Sequence, residues 1–140
     1  MQIVLQLILG AVSSVVLITL ARRLGPKPEL RLYAISLFVA ALIYVAFTAR
    51  GATNAWLALE VAGLLAFTLL ALLGLKVSAL ILAFAWAVHA AWDVLLHKLL
   101  TAAFVPDWYP LTCLSFDLVL AIYLVGQAFL PVESVRKHAP

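Results

Sequence analysis

The chain has 140 residues, of which 67% are hydrophobic and 11% charged, with a mean hydropathy of +1.19 and a formal net charge of +3. Soluble domains run nearer half apolar and a quarter charged, which excludes a water-soluble globular protein. Nine scattered Lys and Arg residues are too few for a nucleic-acid surface, and one cysteine, Cys113, rules out an intrachain disulfide.

A membrane-spanning helix needs about 20 predominantly apolar residues, and five stretches supply them. The first is 3–24, closed by "ARRLGPKPE". No Lys or Arg precedes it and it is long for a secretory h-region, so it reads as a retained span. The second is 31–48, closed by "ARGATN"; the third is 55–73, closed by Gly74. The fourth is 77–100, and the fifth is 111–130, opened by "PDWYP" and closed by Pro131. Gly and Pro fall in the gaps, where breakers belong. The expectation is one all-α domain over 1–140, a polytopic bundle of five transmembrane helices in a cell membrane, of the bacterial inner-membrane kind. Its expected partner is the lipid bilayer, with homo-oligomerisation left open.

Lys and Arg collect on the cytoplasmic side of membrane proteins. With the first loop inside, Arg22, Arg23, Lys27, Arg31, Lys76, Arg136 and Lys137 are inside, against Arg50 and Lys98 outside. That predicts an outside N-terminus and a cytoplasmic C-terminus. Trp56, Trp92, Trp108 and Tyr109 then fall near the outer interface. The series Ala79, Ala83, Ala87, Ala91 and the series Ala58, Ala62, Ala66 read as small-residue ridges for close helix packing.

The fourth span ends in "HAAWDVLLHK". At about 100° per residue, Asp93 lies about 40° and His97 about 80° from His89, on one stripe. Trp86 and Trp92 flank that stripe. The fifth span answers with "CLSFD", placing Cys113 and Asp117 on one face, and the third adds Glu60. Counting the helical rise inward from the outer edge puts Glu60 about 8 Å and Asp117 about 9 Å down. Asp93 and His89 lie about 6 and 12 Å below His97. Tyr44 and Thr48 reach similar depth, and nothing comparable is expected in the inner half.

An acidic side chain at a helix centre costs about 2.5–3.5 kcal/mol on insertion scales. Three acids with no Lys or Arg at their level must therefore be paired, protonated, hydrated or bound to metal. His89, Asp93 and Asp117 suit a divalent ion such as zinc or iron, with His97 as a fourth ligand candidate. Glu60 is the candidate proton-transfer group, and Tyr44, Trp86, Trp92 and Cys113 are candidates to line a substrate pocket. The bland alternative is a hydrogen-bonded polar knot between helices, and a third is a proton or ion path.

The motif H-x2-W-D-x3-H followed by C-x3-D, read as His89, Trp92, Asp93, His97, Cys113 and Asp117, resembles an uncharacterised family of small bacterial integral membrane proteins. The resemblance covers the last two spans, about a third of the chain. In that family the first motif ends in adjacent histidines, whereas Leu96 and Lys98 flank His97 here. The resemblance implies a shared site and supplies no reaction. Two functions follow. One is a metal-dependent enzyme acting on a lipid-like or isoprenoid small molecule, its ion activating water or polarising an oxygen. The other is a non-enzymatic binding, accessory or transport-related membrane protein.

Overall fold

A computed structural model describes residues 1–100 and 102–129. Leu130, at the end of the predicted fifth span, lies outside the described residues. So do Arg136 and Lys137 of the charge bias, and with them the placement of the C-terminus.

The helices are α1 (Gln2–Ala21), α2 (Pro26–Thr48), α3 (Asn54–Lys76), α4 (Ala79–Trp92) and α5 (Tyr109–Phe129). A 3-10 turn, Arg22–Leu24, joins α1 to α2, and α4 continues without a break as a π-helical segment, Asp93–Leu99. No strand occurs among the described residues. All five helices are long and apolar enough to cross a membrane, which fits a multi-pass membrane protein.

Several predicted boundaries move, for local reasons. The second helix begins at Pro26 rather than at 31, because Pro26 and Pro28 sit in its first turn. Proline is tolerated there, where its missing N–H has no intrahelical acceptor anyway. The third helix runs through Gly74 to Lys76. Gly74 is a packing residue and not a stop: a Cβ there would come 2.8 Å from Leu82 Cβ. The fifth helix starts at Tyr109, with Pro110 in its first turn. Gly25 does act as a breaker at the first junction, as Gly51, with a φ of 102°, does between α2 and α3. The φ of 88° at Gly25 lies in the left-handed region that favours glycine.

The order of packing differs from the order of the chain. The fifth helix packs against α1 on one side and α4 on the other; α4 then meets α3, and α3 meets α2. The consecutive pair α1 and α2 touches little beyond its junction. The bundle is therefore an arc, α1–α5–α4–α3–α2, with a seam between its two ends. Gly10 permits the tight α1–α5 contact, since a Cβ there would overlap the Thr112 carbonyl oxygen and Ser115 Oγ.

The core holds Tyr33, Leu37, Leu82, Trp86, Leu120 and Leu124, all fully buried. The buried stripe of α3 is Glu60, Gly63, Phe67, Ala71 and Gly74. The alanine ridges are mostly not what packs: of them Ala83 alone is buried. Ala58, Ala62 and Ala66 are exposed, as are Ala87 and Ala91, while Ala83, Ala85 and Ala90 are buried. The side of α4 that carries His89 is the side it buries, so its polar and packing faces coincide.

Candidate functional site

The fourth helix supplies three polar groups. His89 lies in the last turn of α4, and Asp93 and His97 follow in the π segment. In an α-helix each four-residue step overshoots a full turn by about 40°. A π-helix bonds i to i+5 and has wider turns, so the step from Asp93 to His97 no longer adds to that drift. The three side chains stay on one face, and all are buried.

Glu60 reaches this face from α3 and Asp117 from α5, both buried. His89 Nδ1 lies 2.7 Å from Asp117 Oδ2 and 3.6 Å from Asp93 Oδ1. His97 Nε2 lies 2.7 Å from Glu60 Oε1, and Trp92 Nε1 donates to Glu60 Oε2 at 3.4 Å. These five groups therefore form two adjoining sets. His89, Asp93 and Asp117 each offer a ligand atom within 4.8 Å of the others. His97 and Glu60 form a separate pair, so His97 is brought to Glu60 and not into the three-residue group.

Aromatic rings wall the site. Tyr44 stacks on His97 at 3.9 Å between centroids and also faces His89 at 6.0 Å. Phe67 meets His89 edge-on at 4.8 Å, and Trp86 lies 6.3 Å from it. Trp92 lies against Gly63, where a Cβ would come 2.7 Å from its ring. Trp86 is fully buried and faces no lipid. Cys113 is half-buried on the α5 wall beside Tyr109 and Asp117. The connection before α5 folds back over the site, with Ala102, Phe104 and Val105 buried against Tyr44 and flanked by Trp56 and Tyr109.

The polar atoms are incompletely satisfied. Among the described residues, His89 Nε2, both Asp93 oxygens, Asp117 Oδ1, His97 Nδ1 and Tyr44 OH are buried without a hydrogen-bond partner. Buried polar groups are paired in more than nine cases of ten, and a cluster of exceptions calls for a water, an ion or a ligand. Two ligands of one tetrahedral zinc ion, each about 2.0–2.2 Å from it, stand about 3.3–3.6 Å apart. The ligand atoms of the three-residue group lie within 4.8 Å of one another, so the group would close by roughly an ångström to hold the ion. Its donor set, one imidazole and two carboxylates, suits zinc or iron. The ion-pair partners of these acids among the described residues are all histidines, so no fixed cation competes for them.

A family model described as "Family of unknown function (DUF6010)" matches residues 5–129. The chain belongs to that family. No curated protein and no solved structure matches the chain. The DUF6010 match runs from α1 to the end of α5, well beyond the two spans that carried the sequence resemblance.

One polar cluster escaped the sequence reading, and it corrects the expectation of an empty opposite half. Glu29, in the first turn of α2, is buried. Its Oε1 accepts from Tyr33 OH at 3.0 Å, Tyr123 OH at 2.7 Å and Gln127 Nε2 at 2.8 Å. Glu29 sits between prolines and basic residues, a composition that reads as loop. Its partners Tyr123 and Gln127 belong to another helix, so no local pattern announced them. Phe67 and Phe104 were also missed, because an aromatic residue in an apolar run carries no mark of what it faces.

Proposed function

We propose that this DUF6010 protein holds one divalent metal ion between His89, Asp93 and Asp117, and that the ion is the centre of a membrane-embedded enzyme acting on a lipid-like molecule. The supporting observation is that ligand atoms of these three buried side chains, brought from two helices, lie within 4.8 Å of one another, while both Asp93 oxygens and Asp117 Oδ1 have no hydrogen-bond partner among the described residues. When bound, the ion supplies Lewis-acid polarisation of an oxygen or a more acidic water.

The chain's own groups do the rest. Asp117 and Asp93 bring negative charge that a divalent cation offsets, so the cost of burying them falls. His89 is held by Phe67, Trp86 and Tyr44. The Glu60–His97 pair is the candidate to take up or deliver a proton at His97 Nδ1, which has no hydrogen-bond partner among the described residues. Phe104 and Val105 exclude water, which strengthens each electrostatic contact inside. The charge bias of the loops supports a cell-membrane orientation with the α1 N-terminus outside, of the bacterial inner-membrane kind.

Zinc titration of the detergent-purified protein tests the proposal. One equivalent bound by wild type and none by His89→Ala is the expected result. Wild type that neither copurifies with nor binds a stoichiometric metal ion overturns it.

A second reading, a polar knot that fixes helix packing, is favoured by the two 2.7 Å His–carboxylate contacts between helices. It predicts that Asp93→Asn and Asp117→Asn keep assembly intact and that no metal binds at any stoichiometry.

A further inference from the structure

The seam between α1 and α2 is where two consecutive helices fail to pack. It forms an open groove of about 500 Å³, within the range of about 300–1,000 Å³ typical of small-molecule sites. Its lining on α1 runs from Gly10 to Leu20, about 15 Å along the helix. Leu17 and Ile43 lie on the two walls, and α5 lines the groove from Tyr109 to Asp117, including Cys113 and Phe116. The groove lies entirely in membrane-spanning segments, so what fills it comes from the hydrocarbon of the bilayer.

Two independent features bear on its occupant. Asp117 lines the groove, is 1% exposed, and carries an Oδ1 with no hydrogen-bond partner among the described residues. Its Oδ2 is already engaged by His89. One residue that lines the groove thus carries a buried acceptor without a partner and belongs to the His89–Asp93–Asp117 group. The other approach to that group is closed by apolar side chains, since Phe104 and Val105 pack on Tyr44 over the loop-side mouth. The route left to Asp117 is sideways.

We infer that the seam binds the hydrocarbon chain of a single membrane amphiphile and presents its head to Asp117. The head is a neutral, hydroxyl-bearing group and not a phosphate. A hydroxyl donates to Asp117 Oδ1, whereas a phosphate would meet Asp93 and Asp117 with no Lys or Arg among their ion-pair partners in the described residues. Even with a divalent ion in place, two carboxylates leave no net positive charge to hold it. The substrate class is therefore a long-chain alcohol or a neutral lipid with a free hydroxyl. This rests on the reading of His89, Asp93 and Asp117 as the chemical centre.

The test uses the full chain in phosphatidylcholine nanodiscs, photolabelled with a diazirine-bearing long-chain alcohol and, in parallel, with the phosphate monoester of the same chain. Peptide mapping is expected to find the alcohol probe several-fold enriched at Leu17, Ile43 and Phe116 over the lipid-facing Leu65 and Leu69 of α3. The phosphate probe shows no such enrichment. Ser36→Trp, which fills the groove, removes the enrichment in protein that still elutes as a single species. If that variant does not assemble, competition by unlabelled alcohol on wild type gives the same decision. Equal labelling of the seam and α3, stronger labelling by the phosphate probe, or α1–α2 crosslinks to a second copy across the seam each overturn the inference. Zinc titration of the same sample separates the two proposals. Seam labelling without zinc binding sinks the metal centre alone, and zinc binding without seam labelling sinks the lipid site alone.

Discussion

Two carboxylate clusters are buried at opposite ends of one bundle, and they are solved differently. Glu29 ends on a single oxygen that accepts three hydrogen bonds from neutral donors. It also sits at a helix N-terminus, where the backbone dipole favours a negative charge. Asp93 and Asp117 share one histidine between them, and three of their four oxygens are unpaired among the described residues. A carboxylate surrounded by donors is finished as structure. A carboxylate buried without donors is destabilising until something else arrives. The Glu29 cluster also links α2 to α5 at one end of the seam, while at the other Tyr44 and Phe47 of α2 meet Tyr109 of α5 edge-on.

The comparison is broken or sharpened by four substitutions. The largest effect is expected from His89→Ala, which removes a proposed metal ligand. Loss of a mere supporting partner costs about 10–100-fold in metal affinity, so zinc binding by calorimetry should weaken by at least about 100-fold. Protons compete with zinc for imidazole and carboxylate ligands, so wild-type zinc affinity should fall as the pH is lowered. An affinity that rises toward acid pH contradicts this ligand set.

Next comes Glu29→Ala. It leaves three donors without their acceptor and should lower stability by about 1–3 kcal/mol, seen as a lower thermal midpoint in detergent. Zinc stoichiometry should not change. If zinc binding disappears instead, the division into a structural and a chemical cluster is wrong.

Glu60→Ala asks to which side the His97 pair belongs. It strips the acceptor from His97 and Trp92 and should cost a further figure of about 1–3 kcal/mol, with one zinc still bound. Loss of zinc would place Glu60 and His97 inside the metal centre. The smallest effect is expected for Tyr123→Phe, about 0.5–1.5 kcal/mol, because Glu29 keeps Tyr33 and Gln127. A larger loss there would mean that the hydroxyl of Tyr123 does more than join two helices.

Composition and periodicity were enough to determine an all-α chain with five apolar spans. A 20-residue apolar run has few alternatives to a membrane helix, because each backbone polar group must be satisfied within the segment. They also singled out His89, Asp93 and Asp117, since a charged group in such a run is costly enough to need a reason. What lay beyond them was decided by contacts distant in the chain. The π segment that keeps His97 aligned is a property of the packed helix, and the motif residues alone fit an α-helix as well. Glu29 became a buried anchor only when Tyr123 and Gln127 met it across the bundle. The arc that leaves α1 and α2 apart depends on which faces fit together, as at Gly10 against Thr112. Hydropathy reports how much each helix avoids water, and in a bilayer it does not say which neighbour a helix prefers, because lipid is as apolar as a leucine side chain.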